Sequence, residues 1–312
     1  MSEPQMTIAV VSWNTRELLR RCLESMRAPV DAGLARVVVV DNVSADGSAD
    51  LVREHFGWAE LIEAERNLGF GAAVNAAVEG ATTPWLAPAN ADVELRPGAL
   101  EALLATGREH PEAGLLAPTL LVPGGSVQHS VHAFPSLELA LAFNLGLGLA
   151  MPRLGDRLCL DGRWDPARAR EIDWAHGAFV LVRRVAFEAI GGFDAGQWMY
   201  AEDLDLAWRL AEAGWARRFV PAARVGHEVA AATGQRFGDD ERAAAHMAAA
   251  QDWMRRRRGR VAAAAYAAIN ALGSALRLLA LVPLARISPR RFAARRELER
   301  RYVRLHSAAL KQ

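Results

Sequence analysis

Short β-branched runs alternate with helical patterns through the first hundred residues, and this alternation leaves few folds open. Thr7–Trp13 is an apolar run of the kind a buried strand carries. A helical pattern follows through Leu18, Leu19, Cys22, Leu23 and Met26. Arg36–Asp41 is a second run, closing in the turn-rich stretch Asp41–Ser48, and a helix is expected near Ala49–His55. Ala59–Ala64 reads as a third strand and Ala72–Glu79 as a short helix. Trp85–Ala87 leads a fourth strand toward Asn90-Ala91-Asp92. Such a pattern predicts an α/β fold, a mostly parallel central sheet with helices on both faces. Ligands of these sheets bind beyond the carboxyl ends of the strands, where the polar clusters 41–48 and 90–94 fall.

The second part of the chain is less regular. A helix is expected from Pro97 to His110, with the proline at its start. Leu115–Leu121 and Ser126–His132 read as strands around Pro123-Gly124-Gly125. Leu137–Met151 is an apolar run broken by Gly146 and Gly148, too interrupted to span a bilayer. Trp174–Val182 reads as a turn and strand, Arg183–Ile190 as a helix stopped by Gly191-Gly192, and Arg218–Val220 as a strand before a loop to His227. The domain reading is 1–235 for the α/β domain, divided near residue 95. Residues 236–312 form a helical basic segment.

Charge supports that division. Residues 255–312 hold 15 Lys and Arg against 2 Asp and Glu, while residues 1–254 carry a net charge of −12. A segment this basic suggests an anionic partner. Val261–Ile287 within it is almost wholly Ala, Leu, Val and Ile, interrupted by Arg277, Pro283 and Arg286. Arg277 near the middle disfavours a spanning helix. A helix lying on an anionic membrane surface is the better reading, since lipid charge attracts such segments by roughly 1 kcal/mol per basic residue. Aromatics for base stacking are sparse there, so no nucleic-acid partner is expected. Cys22 and Cys159 give no disulfide framework, and the N-terminus reads as lacking a secretory signal. A cytoplasmic protein, peripheral at the inner face of the plasma membrane, is the expectation. Nothing in the sequence points to an oligomeric state.

Several polar groups stand where chemistry is possible. Asp41, at a strand's end, suits a nucleotide base or ribose, although residues such as Ser44 and Asp46 also serve as ordinary helix caps. Asn67-Leu68-Gly69-Phe70-Gly71 enters a helix whose N-terminus attracts phosphate. Its glycine spacing is not that of the dinucleotide fingerprint, and a bare turn is the plain alternative. Asn90 and Asp92 offer oxygen ligands to a hard cation. In the stretch Trp198–Arg209, Glu202, Asp205 and Arg209 share one helix face and Leu204, Trp208 and Ala211 another. Asp203 is left in the first turn, where the helix dipole favours an anion. The plain alternative is a charged helix start with a surface Asp205–Arg209 pair worth tenths of a kcal/mol.

Taken in order, Ser12-Trp13-Asn14, Asp41–Ser48, Asn67–Gly71, Asn90-Ala91-Asp92, Gly191-Gly192-Phe193-Asp194 and Glu202-Asp203-Leu204-Asp205 resemble the motifs of family 2 inverting glycosyltransferases. The similarity covers residues 6–230 and is greatest to a rhamnosyltransferase-like branch. It implies a GT-A fold, with the donor side near 7–95 and the acceptor side near 96–235, and transfer of a sugar, with inversion, from a nucleotide-sugar donor. Rhamnose from dTDP-rhamnose is the expected donor, with a UDP-linked hexose or GlcNAc as alternative. The implied acceptor is a glycan or polyprenyl-linked glycan of cell-wall or polysaccharide synthesis. By position, Asp203 resembles the catalytic base, with Glu202 beside it. Trp13, Asn14, Asp41, Asn67, Gly71, Asn75 and Asn90 fall on the nucleotide-sugar side. Asp92 and His227 resemble ligands of a divalent cation, Mg2+ or Mn2+. Asn90 stands where many members carry an aspartate, and Ala91 where this branch often has proline. A sugar nucleotidyltransferase shares a related core but uses a Gly-rich basic N-terminal loop that is missing here. A non-catalytic nucleotide-sugar-binding protein would share the fold.

Overall fold

Ile8, Ala9 and Val10 are fully buried although they are consecutive. A strand can do that only when helices cover both faces of its sheet. In this computed structural model, which describes residues 3–197, 200–228 and 239–310, the strand is β1 (Met6–Ser12). It pairs in parallel with β2 (Ala35–Asp41) and β4 (Trp85–Asn90), and β2 pairs in parallel with β3 (Glu60–Glu63). Between them run α1 (Arg16–Asp31), α2 (Ser48–His55) and α3 (Phe70–Val78). Leu19, Cys22, Leu23 and Met26 of α1 are fully buried at helical spacing, each larger side chain contributing about 1.5–3 kcal/mol. The α/β reading is thus borne out.

The sheet then changes direction. β5 (Val93–Leu95) and α4 (Ala99–Glu109) lead to β6 (Ala113–Leu121). After β7 (Val131–His132), β8 (Arg170–Glu171) and β9 (Trp174–Ala175) comes β10 (Leu181–Arg183), which wedges antiparallel between β4 and β6. α5 (Leu137–Asn144), α6 (Leu147–Ala150) and α7 (Pro152–Arg157) lie between β7 and β8, and α8 (Arg184–Ala189), α9 (Glu202–Glu212) and β11 (Ala216–His227) follow β10. The sheet order is β3-β2-β1-β4-β10-β6-β11-β5, with β8 paired to β11, while β7 and β9 form a separate ribbon.

Three sequence readings change. The strand read at Arg218–Val220 runs on to His227, because an irregularity between Val220 and Arg224 absorbs Pro221 and lets pairing resume. Val93–Leu95, three residues long and so without a visible period, pairs with that extension. The strand read at Ser126–His132 shrinks to β7 plus a single bridge between Leu121 and Val127.

Two compact units result, Met1–His132 with Asp165–Gly238, and Ala133–Trp164 with Asp239–Gln312. The segment 133–164, read as part of the acceptor side of the first domain, therefore clusters with the C-terminal helices. The boundary read at 235, like Trp198 and Met199, lies outside the described residues. The second unit contains α5 (Leu137–Asn144), α6 (Leu147–Ala150), α7 (Pro152–Arg157), α10 (Asp239–Arg258), α11 (Arg260–Ile287) and α12 (Pro289–Ala309). Arg277 is not a lone charge within α11. Its guanidinium meets the Glu299 carboxylate at 3.1 Å and Asn144 Oδ1 at 2.8 Å. Glu299, 1% exposed, also receives Arg295.

Candidate active site

The carboxyl ends of β1, β2 and β4 come out level, Ser12 beside Asp41 and Val11 beside Asn90. Asp41 is 4% exposed. Its Oδ2 accepts the Ser44 N–H at 2.9 Å. Its Oδ1 is buried and has no hydrogen-bond partner among the described residues. Leaving such an atom unmatched costs about 1–3 kcal/mol, and a ligand N–H or O–H is one group that can pair with it. A pyrimidine imide or a ribose hydroxyl supplies one. Trp13 sits half-buried one residue past this edge.

Other residues expected on the donor have internal duties. Asn14, at φ 51°, accepts the Ala45 N–H through Oδ1 at 2.7 Å and donates its own N–H to Ser44 Oγ. It ties the loop after β2 to the end of β1. Asn67 Oδ1 caps the turn at the Gly69 N–H. The amide of Asn75 bridges α3 to Phe193, donating to its carbonyl and accepting its N–H, both at 2.9 Å. Gly71 is required because a Cβ there would stand 2.8 Å from Phe193 Cβ, so its close approach is to a side chain. A residue missed from the sequence is Asn42. Buried at 3%, it donates to the Gly69 carbonyl and accepts the Leu68 N–H, holding the 67–69 turn against the end of β2. Its place directly after Asp41 was the available signal.

Asp92 and His227, expected to hold a cation, are brought together. Pairing of β11 with β5 and the Glu228 N–H to Asp92 carbonyl bond set the two chains side by side. His227 Nε2 lies 3.6 Å from Asp92 Oδ1, and neither side chain is more than 9% exposed. Burial pushes the imidazole below its ordinary value and Asp92 only partly restores it, so the neutral ring is favoured. A neutral imidazole and a carboxylate are chemically suited to a divalent cation. Among the described residues no third His, Cys, Asp or Glu joins them. Asn90 stands at the end of β4, its N–H on the Ala178 carbonyl.

Glu202 and Asp203 open α9 after Tyr200 and Ala201, both with φ near 60°. Non-glycine residues in that region cost about 1–3 kcal/mol and cluster at functional sites. Asp203 Oδ2 accepts the Gly177 N–H at 2.9 Å and Oδ1 the Leu204 N–H at 2.8 Å. Gly177, not singled out from sequence, allows this approach, since a Cβ there would meet Asp203 Cβ at 3.2 Å. Glu202 Oε2 is buried with no hydrogen-bond partner among the described residues. Burial first, then the neighbouring Asp203, push its carboxyl up to about 8, so it holds a proton at neutral pH. The Asp205–Arg209 pair is not a surface pair. Asp205 is fully buried, and Arg209 meets it at 2.7 Å while donating to the Ile190 and Gly192 carbonyls. The pair clamps α9 to the turn that also receives Asn75.

Comparison with known proteins agrees with this arrangement. Residues 7–148 match the profile described as Glycosyl transferase family 2, and residues 157–294 that of Glycosyl transferase family group 2. The N-acetylglucosaminyl-diphospho-decaprenol L-rhamnosyltransferase of Mycobacterium tuberculosis is 34% identical over 240 residues, 73% of this chain and 77% of that protein. A pre-mycofactocin glycosyltransferase of the same organism is 31% identical over 73% of this chain and 43% of its own length. Among solved structures, the mannosyltransferase PcManGT from Pyrobaculum calidifontis, in complex with GDP-Man and Mn2+, superposes with a TM-score of 0.61 at 19% identity, covering 99% of this chain and 88% of that one.

Proposed function

The chain belongs to glycosyl transferase family 2, and from that premise we propose that it moves rhamnose from dTDP-rhamnose, with inversion, onto a glycan carried on a polyprenyl diphosphate. The observation that carries the reading is Asp203, oriented by two backbone N–H groups beside a proton-bearing Glu202. A buried carboxyl raised beside a second carboxyl is a mark of acid–base sites. Asp203 takes the proton from the acceptor hydroxyl as that oxygen attacks the anomeric carbon, help worth roughly 10²–10⁴ in rate. Glu202, neutral, adds no second negative charge beside the incoming oxygen and offers a proton as hydrogen-bond donor to acceptor or sugar. Asp41 Oδ1 receives the base or ribose, and the end of β1 with Trp13 borders the same edge. Asp92 and His227 would hold a divalent cation, Mg2+ or Mn2+, which neutralises charge on the departing diphosphate. The rhamnosyl donor and lipid-linked acceptor are carried over from the mycobacterial relative, whose name states both the sugar and a decaprenol-linked substrate. The experiment is transfer from dTDP-rhamnose to a synthetic polyprenyl-diphosphate GlcNAc, read by NMR at the new anomeric centre. The expected configuration is opposite to the donor's; a retained one would sink the single-displacement reading.

We also propose that the second unit lies on the cytoplasmic face of the plasma membrane. Arg260–Leu284 is apolar and long enough to cross a membrane by length and composition alone. Leu272, Leu276 and Leu279 expose a stripe at helical spacing, and Phe143 and Leu145 are 58% and 69% exposed. Apolar side chains with arginines in the flanking helices suit an anionic interface. Flotation of the full chain with vesicles containing an anionic lipid, and not with neutral ones, is expected; equal partition to both or to neither counts against it.

A further inference from the structure

Four side chains that the transfer reaction does not use form a chain behind His227. His227 Nδ1 lies 2.8 Å from Gln128 Oε1. Gln128 Nε2 lies 3.4 Å from His176 Nδ1. His176 Nε2 lies 3.0 Å from His132 Nε2. His132 stacks on Trp174 at 4.5 Å, within the β7–β9 ribbon. The residue after His176 is Gly177, whose N–H holds Asp203.

The chemistry of an amide gives this chain one direction. A Gln oxygen only accepts and its nitrogen only donates. With Oε1 toward His227, Nδ1 of that ring must carry the hydrogen, and the neutral ring then presents a bare Nε2 to Asp92. The 3.6 Å gap to Asp92 Oδ1 agrees, since an Nε2–H facing a carboxylate would close to about 2.7–2.9 Å. At the other end, Gln128 donates to His176 Nδ1, so His176 carries its hydrogen on Nε2 and donates it to His132 Nε2. That last step needs a neutral His132. Burial, with the His176 and His129 rings beside it, holds the His132 imidazole down to about 2. Every link is satisfied in this arrangement; reversing the amide would turn an Nε2–H of His227 toward Asp92, which the 3.6 Å separation disfavours.

We propose that Gln128, backed by His176 and His132, is a positioning residue that fixes the tautomer of His227 so that Nε2 is bare and aimed at a cation shared with Asp92. This rests on the reading of Asp92 and His227 as cation ligands. Partners of this kind hold ligand imidazoles in orientation, and their loss typically weakens metal affinity 10–100-fold. A purely structural role for Gln128 would alter stability and neither quantity below.

The test uses the full chain, with two readouts. Long-range 1H–15N NMR of the metal-free protein reports which nitrogen of His227 is protonated. Electron paramagnetic resonance of free Mn2+ reports binding of that ion alone. In the wild type His227 is expected as the Nδ1–H form. Gln128→Ala is expected to lose that bias and to bind Mn2+ about 10–100-fold more weakly. Gln128→Glu keeps an acceptor for Nδ1–H, so it should retain the tautomer and come within about threefold of wild-type affinity. The Glu variant also keeps the test alive if the Ala variant fails to fold, because its loss of the tautomer would contradict the proposal. An unchanged tautomer and affinity in Gln128→Ala, with Mn2+ binding lost in His227→Ala, overturns the role of Gln128 and leaves the cation site standing. Full Mn2+ affinity in His227→Ala overturns the cation site, and the role of Gln128 with it.

Discussion

The proposed donor edge and the start of α9 are built in opposite ways. At the donor edge, Asp41 and Asn90 project from strands whose register is set by continuous main-chain pairing. Their positions follow from the sheet, and removing one side chain leaves the frame intact. At the start of α9, the carboxyl groups depend on side chains reaching backbone far away in sequence. Arg209 clamps the 190–192 turn, Asn75 grips Phe193, and Gly177 makes room for Asp203. Geometry and stability are therefore coupled at the proposed base and separable at the proposed donor edge.

Arg209→Ala is the most forceful way to break this contrast. It leaves Asp205 buried without its cation, which costs about 3–5 kcal/mol. Denaturant unfolding should show that loss, and transfer should fall with it. A stability change under about 1 kcal/mol would mean that α9 is not held by this clamp.

Glu202→Gln sharpens the contrast with a smaller effect. The Glu202 carboxyl is raised from 4.5 to about 8 in the folded chain. Between those values the folded state holds the proton that the unfolded state has released, so stability falls as pH rises. The contribution is whole below about 4.5 and gone above about 8. Gln has nothing to titrate. The melting temperature of the variant should therefore gain on wild type from pH 5 to pH 8. A constant difference across that range would mean that Glu202 is solvated.

The same contrast explains what could be read in the sequence. The β1–α1–β2 alternation, Asp41 and Asn90-Ala91-Asp92 were legible because strand period and strand-end chemistry are local signals. Asp203 was legible through its place among ordered motifs. The burial of Asp205 was not, because i, i+4 spacing pairs it with Arg209 without revealing that Asn75, Phe193 and the 190–192 turn close over them. Gly71 and Asn75 carry the composition of a phosphate loop, yet both serve Phe193, more than a hundred residues away. Gln128 gave no signal, since its meaning comes from β11 running past Val220 to deliver His227. The segment 133–164 carried too little period to reveal that it clusters with the C-terminal helices.

The most direct measurement sets one substitution from each region side by side, reading donor affinity by calorimetry and transfer by turnover. Asp203→Asn should bind dTDP-rhamnose as the wild type does and lose transfer by about 10²–10⁴. Asp41→Asn should lose donor affinity about tenfold or more, the worth of a hydrogen bond to a charged group, with a wild-type melting temperature. Wild-type turnover in Asp203→Asn would contradict the account at its centre.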